Sequence, residues 1–551
     1  MNEILNQLWQ YSENKPLLFT QLFFWAFFAV VLTLYSFVYK RPKLRSAYLF
    51  FVSLFFYFKT SGVFVSLLVF TIASDFLWAQ LIAKSEKQFF RKLFLSISVI
   101  LNLSLLAYFK YAYFFHESYN QIAHQQDTFF NHFAAFSNTF FGTSFSVSKL
   151  LLPVGVSFFT FQSLSYTIDT CRQKITPLKN ILDYGFFVCF FPHLVAGPIV
   201  KAHDFLYQIS EKYKLSRTEF GMAVFWITNG FCKKIIADYI AVNYIDRIFE
   251  NPTFYTGVET IAGIFGYSLQ IYMDFSGYTD MAIGLALILG FRLKTNFNSP
   301  YKATSTSEFW KRWHISLSSW LQEYLYIPLG GNRTGSIGSY VSISILLVFL
   351  VLLTGKLFLI LIAMFVAVVL LIISYFSAKF RHSLNTNINL MVTMLLGGLW
   401  HGSSTLFIIW GGLNGLGIVM HKWWQKISPF KNANNYAIRF FLMFCTLTFI
   451  SFTRIFFRSA NMQTVQLIFD RIVNHPGLEL TLSIITAYAF VFGVIIAGYL
   501  IHWIPEKIKS SYRNWFSNLH PILMILISAC AVTVMYQFMS GEMQPFIYFQ
   551  F

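Results

Sequence analysis

The sequence predicts an all-α protein that crosses a membrane many times, on three observations. Apolar runs of about 20 residues recur from end to end, long enough to cross a hydrocarbon core of roughly 30 Å. Hydrophobic residues make up 56% of the 551 positions and charged residues only 12%, about half the charge of a soluble domain; mean hydropathy is +0.56. The basic residues gather in short loops between apolar runs, as the positive-inside rule expects. The formal charge of +18 therefore reads as membrane orientation and not as nucleic-acid binding.

The first apolar run, Leu17 to Tyr39, is too long for a signal peptide. Residues 1–16, with Glu3, Glu13 and Lys15, lack a basic leader. This run is expected to stay as the first span. The loops KRPKLR (Lys40 to Arg45) and KSEKQFFRK are expected to be cytoplasmic, with a short crossing at Leu44 to Phe58 and a longer one at Gly62 to Ala83. A fourth span, Leu93 to Phe115, leads to the longest polar loop, His116 to Lys149, expected outside. At the other end EKIKSSYR reads as cytoplasmic, followed by a last span at Pro521 to Phe538 and an external tail, GEMQPFIYFQF. Both termini are then extracytoplasmic. Two central stretches resist a simple span. FFPHLVAGPIV carries Pro192, Gly197 and Pro198, and Asn296 to Arg333 is partly polar and Trp-rich. Both read as re-entrant or in-plane elements covered by other protein. The length rule gives roughly eleven full spans in one integral-membrane domain, residues 1–551.

Chemistry is expected in a few places. STSEFWKRWHISLSSWLQEYLYIPLGGNR begins at Ser305, which with Glu308 fits a capping box. On one helix Trp310, Trp313, Leu317, Trp320, Leu321 and Tyr324 share a stripe with His314 at its edge. The helix is either an interfacial Trp belt or the lining of a cytoplasm-facing cavity. In LLGGLWHGSSTLFIIWGGLNG, glycines flank His401 on both sides. Small residues let helix backbones approach closely, which would press that histidine into the bundle. Burial disfavours the charged ring, and a neutral imidazole can take a proton from a hydroxyl. The competing reading is a core histidine bonded to a backbone carbonyl. Asp274 and Asp280 lie six apart, about 240° around a helix, and cannot form a dyad unless Gly277 breaks it. Structural support is expected of each, through hydrogen bonds from Tyr or Trp or a buried Arg.

Other constellations are weaker. His116, His124 and His132 are spaced by eight, not by the three or four of helical metal pairs. Arg454 and Arg458 share a helix face and could hold an anion or, the favoured reading, meet lipid headgroups. The cysteines (Cys171, Cys189, Cys232, Cys445, Cys530) are scattered and form no CxxC, so no disulfide framework or zinc site is expected. ATPase, serine-hydrolase and zincin motifs are absent.

Five blocks resemble one family. FFPHLVAGPIVKAHDF, IYMDFSGYTDMAIGLALILGF, FNSPYKATSTSEFWKRWHISLSSWLQEYLYIPLGGNR, GGLWHGSSTLFIIWGGLNG and FFRSA run in order over about residues 150–460. The chain resembles the membrane-bound O-acyltransferase (MBOAT) family, most closely its bacterial alginate O-acetyltransferase-like branch. The resemblance implies a helical funnel around a central tunnel, with His401 as the intramembrane histidine and His314 as its polar-segment counterpart. It implies transfer of an acetyl group from a cytoplasmic thioester, acetyl-CoA or another acyl donor, with no bound cofactor. The acceptor would be an extracytoplasmic polysaccharide, such as an alginate-like exopolysaccharide, peptidoglycan or another envelope glycan. A separate periplasmic or extracellular O-acetyltransferase would act as partner, and the chain would lie in a bacterial cytoplasmic (inner) membrane. The donor side of the tunnel is expected to draw on Trp310, Lys311, Arg312, Trp313, Asp274 and Trp400, with Lys311 and Arg312 meeting donor phosphates. Gln322–Glu323 stands where relatives often carry Arg–Asp, so no role is carried over to those positions. Two other classes compete: a transporter or flippase that relays protons through intramembrane histidines, and a non-catalytic scaffold of an envelope-modifying complex.

Overall fold

A computed structural model describes residues 17–148, 152–354, 356, 358–430, 435–539 and 544–547. The described residues are helical throughout, with no strand. The reading of residues 1–16 falls outside them. The first helix runs Leu22–Val38, shorter than the apolar run. Leu17, Leu18 and Phe19, just before it, are buried, and Phe19 stacks on Tyr278 with ring centroids 4.8 Å apart. Pro42–Ser61 and Val65–Lys84 form the next pair. Gly62, at φ 59°, turns the chain between them in a conformation that favours glycine. Asp75 is buried in the second of these helices, accepting hydrogen bonds from Ser98 Oγ (2.7 Å) and Asn102 Nδ2 (2.8 Å).

Gln88–Leu106 continues through a five-residue π-turn, Ala107–Tyr111, into Ala112–Ala123. The expected polar loop therefore begins as helix. It also holds a second helix, His132–Phe141, capped by the Asn131 side chain and ended by Gly142 at φ 64°. The three histidines there form no metal-ligand cluster among the described residues. The one cluster of that type is Asp169, His203 and Glu323, and Lys174 and Lys201 already neutralise Glu323 at 2.5 and 2.7 Å.

The stretch with Pro192 and Gly197 turns within the protein. It forms the nine-residue helix Ile181–Cys189, then Phe191–Leu194, then extended chain, and residues 184–200 are all buried. Nine residues rise only about 14 Å, less than half a bilayer core. Neighbouring protein satisfies the backbone: Phe191 N donates to Ser53 Oγ (3.1 Å) and Ile199 N to Ser316 Oγ (3.0 Å).

Two long helices, Arg217–Ile240 and Gly257–Ile288, pack together at the centre, each opened by a full capping box. Gly230 and Gly277 meet where they cross, and a Cβ on Gly230 would lie 2.4 Å from the Gly277 carbonyl oxygen. The Gly257–Ile288 helix runs unbroken through Gly277, so Asp274 and Asp280 keep opposite tasks. Their structural role is as expected, but their partners are lysines of the neighbouring helix and not the Tyr, Trp or Arg expected. Asp274 pairs with Lys234 and Asp280 with Lys233, each at 2.7 Å, and Asn229 supplies a further hydrogen bond to Asp280. Near the chain end, Phe546 is buried against Tyr278, and Ile547 N donates to Asp274 Oδ2 at 2.8 Å. These tail residues pack back onto the bundle.

Five described helical stretches are long and apolar enough to cross a membrane, with Pro42–Lys84 and Gln88–Ala123 each counted once, or six if the bent pair Leu478–Ala487 and Ala489–Trp503 counts as one span. The expected eleven does not follow from this test, because helices such as Leu22–Val38 and Pro521–Tyr536 are shorter. Ile337–Thr354 and Phe358–Phe376 are the most apolar of these and bury few of their residues, as lipid-facing helices do.

Candidate active site

The segment opening at Ser305 starts as expected. Ser305 Oγ accepts from Glu308 N at 3.1 Å, while the Glu308 carboxylate reaches back to Thr304 N and Oγ, both at 2.8 Å. The helix then stops at Arg312. Trp313 is extended and His314 adopts φ 45°, ψ 53°, after which a new helix runs Ile315–Leu321 into a π-turn, Gln322–Tyr326. The single stripe of aromatic residues is therefore broken in two. A left-handed conformation at a bulky residue costs about 1–3 kcal/mol and needs support. Asn296 supplies it: its carbonyl oxygen accepts from Ile315 N (2.9 Å), and its Oδ1 accepts from Ser316 N (3.0 Å) and Ser316 Oγ (2.9 Å). Asn298 N closes the other side of the break on the Arg312 carbonyl oxygen at 2.9 Å.

The break aims His314 inward. Its ring is fully buried, edge-on to Phe275 at 4.8 Å between centroids, and 6.1 Å from the ring of His401. His401 is the last residue of the helix Ala378–His401. The chain reverses at Gly402 and descends as Thr405–Ile427, capped by Ser404. The two arms of this hairpin touch backbone to backbone. A Cβ on Gly398 would sit 2.3 Å from the Phe407 carbonyl oxygen, and one on Gly411 2.4 Å from that of Met394. Gly397 and Gly412 are less tightly held, meeting only leucine methyls at 3.3 Å. Trp410 and Phe457 wall the His401 ring at 5.1 and 5.5 Å.

His401 borders two cavities. The larger, about 540 Å³, runs past Trp310 and Gln322 to Lys311 and Lys422. The smaller, about 10 Å³ or room for one water, is lined by Trp313, Asn414, Arg454 and Phe457. Of the residues expected to line a tunnel, Trp310 and Lys311 face the larger cavity and Trp313 the smaller. Arg312 lies beside neither. It pairs with Glu308 at 2.8 Å and donates to the Asn298 carbonyl oxygen at 3.1 Å. Asp274 also lies beside neither, its charge consumed by Lys234. Trp400 is buried between Phe158 and Phe161 and packs behind the histidines, its ring 5.9 Å from that of His314.

Sequence reasoning misplaced Arg454. It is buried, with its guanidinium 4.5 Å over the Trp313 ring and a hydrogen bond to Tyr301 Oη at 2.6 Å. Arg458 pairs with Asp246 at 2.8 Å. Burial keeps Arg454 away from any headgroup. Asn414 and Lys422 were missed, although a lone asparagine among apolar and glycine residues was a signal. Glu323, outside the spans, is a lock on the segment. Partial burial opposes its charge, but hydrogen bonds from Lys174 and Lys201 outweigh that and hold the carboxyl at about 2.

The profile of the membrane-bound O-acyltransferase family matches residues 88–353, a stretch that includes His314. The peptidoglycan O-acetyltransferase of Helicobacter pylori is 31% identical over 493 residues, covering 84% of this chain and 80% of that protein. The chain belongs to the membrane-bound O-acyltransferase family. Within the family it is 38% identical to the probable alginate O-acetylase of Pseudomonas aeruginosa over 60% of this chain and 51% of that one. It is 28% identical to the teichoic acid D-alanyltransferase of Bacillus subtilis over 32% of this chain and 46% of that one. This membrane-bound O-acyltransferase is thus a multi-pass acyl-transferring enzyme.

Proposed function

We propose that the enzyme moves an acetyl group from a cytoplasmic thioester to a hydroxyl destined for an extracytoplasmic envelope polysaccharide. The observation that carries the reading is His401 on the wall of a cavity of about 540 Å³ shared with Lys311 and Lys422, with the buried His314 ring 6.1 Å behind it. The thioester, acetyl-CoA or another acyl carrier, lies in that cavity with its phosphates toward the two lysines. His401 takes the proton of the acceptor hydroxyl, whose oxygen attacks the thioester carbonyl carbon. The C–O bond forms, the C–S bond breaks, and the thiolate leaves with the proton returned from His401. His314 steadies the oxyanion. Close glycine packing and aromatic walls keep competing water away from the thioester.

The relatives' named acceptors, peptidoglycan and alginate, support a polysaccharide. A separate extracytoplasmic O-acetyltransferase completes the transfer, and the chain lies in a bacterial inner membrane. The test is ester-linked acetate on each fractionated envelope and secreted polysaccharide, in cells lacking the gene and complemented with wild type or His401→Ala at matched membrane levels. Loss of acetate from one polymer in the variant supports the reading and names the acceptor. Unchanged acetate on every polymer overturns it in favour of a transporter or scaffold.

A further inference from the structure

The helix that ends in His401 leaves its last carbonyls without partners inside the helix, as every helix does. Two consecutive residues of another helix supply them. Lys110 Nζ donates to the Trp400 carbonyl oxygen at 2.5 Å and to that of His401 at 3.3 Å. Tyr111 Oη donates to the Leu399 carbonyl oxygen at 2.9 Å. Both residues lie in the π-turn Ala107–Tyr111. An extra residue in the turn is a feature that recurs at functional sites. Lys110 is buried, lies 5.7 Å over the Trp400 ring, and also reaches Ser157 Oγ at 3.4 Å. A lysine in an apolar span is expensive to keep, and here its amine serves one helix end.

We propose that Lys110 is a positioning residue for His401, acting through the carbonyls of residues 400 and 401 to fix where the catalytic ring sits between the two cavities. The inference rests on the proposed role of His401. A ring displaced by about 1 Å loses about 100-fold in rate. Lys110→Met keeps the apolar bulk and removes the donor. Lys110→Arg keeps a donor. Tyr111→Phe removes one bond and leaves the lysine.

Ester-linked acetate on envelope polysaccharide is measured in complemented cells and divided by the amount of folded protein recovered by size exclusion in detergent. The expected result is a loss of about 100-fold in Lys110→Met, with folded yield and melting temperature near those of wild type. Lys110→Arg is expected to regain at least about a tenth of the activity, and Tyr111→Phe to fall by only a few-fold. If Lys110→Met does not accumulate, Lys110→Gln, which keeps an N–H donor, takes its place and is expected to rank between Met and wild type. Full activity per folded molecule in Lys110→Met, or an Arg variant no better than Met, overturns the inference. Full activity in His401→Ala overturns the proposed function and this inference together, whereas loss in His401→Ala beside a fully active Lys110→Met overturns this inference alone.

Discussion

Gly398→Ala tests whether backbone contact in the hairpin, and not merely its apolar character, places the catalytic ring. The new Cβ would lie 2.3 Å from the Phe407 carbonyl oxygen and 3.0 Å from the Gly411 Cα, about 1 Å inside an ordinary contact. Both neighbours are backbone, so no side chain can swing away and the two helices must part. Overpacking of this kind costs about 1–3 kcal/mol. Alanine returns up to about 1 kcal/mol through helix propensity, which at full return leaves a net loss of about 0–2 kcal/mol. The larger effect is on catalysis. Gly398 is three residues before His401, and a shift near 1 Å is expected to lower activity about 100-fold. Gly412→Ala is the control, since its Cβ meets only a leucine methyl at 3.3 Å, and it is expected to be neutral or slightly stabilising. The assay is ester acetate per folded molecule, with detergent melting temperature alongside. Equal activity and stability in the two variants would refute the reasoning.

Two further outcomes follow from the segment around His314. Asn296→Ala removes the acceptor of Ser316 N and Oγ, leaving a buried donor unmatched at a cost of about 1–3 kcal/mol. The His314 break relaxes, and activity is expected to drop at least about 10-fold; acetate assays that match wild type would contradict the support assigned to Asn296. Glu323→Gln cuts the links to Lys174 and Lys201, and because the group is partly exposed each is worth at most about 1 kcal/mol. With the folded carboxyl held at about 2, below the unfolded value of about 4.3, the stabilisation is complete above the unfolded value and fades as pH falls through the folded one. The melting-temperature gap between wild type and variant should hold steady from pH 6 to 8 and shrink below about pH 4; a gap that changes between pH 6 and 8 would count against the ion pairs.

Much of this enzyme is written locally. Alternating apolar runs and basic loops indicate the early crossings, proline and glycine mark the buried turn around Pro192, and glycines on both sides of His401 signal the tight hairpin. Those signals are readable because each depends on a residue and its near neighbours in the chain: span length, backbone freedom, the space a missing Cβ leaves. The site itself needed contacts between distant segments. Helical periodicity carries straight through Trp313 and His314, yet the helix breaks there because Asn296 and Asn298 take over the backbone hydrogen bonds. The arginine at 454 looks like an anchor for a membrane surface until its partners on other helices are seen, and the carbonyls that Lys110 meets lie on a helix far along the chain. A buried polar group must find its hydrogen bonds somewhere. The sequence alone determined that such groups exist; only the packing of helices hundreds of residues apart decided which carbonyl, ring or carboxylate each one meets, and so brought His314 to within 6.1 Å of His401 at the cavity wall.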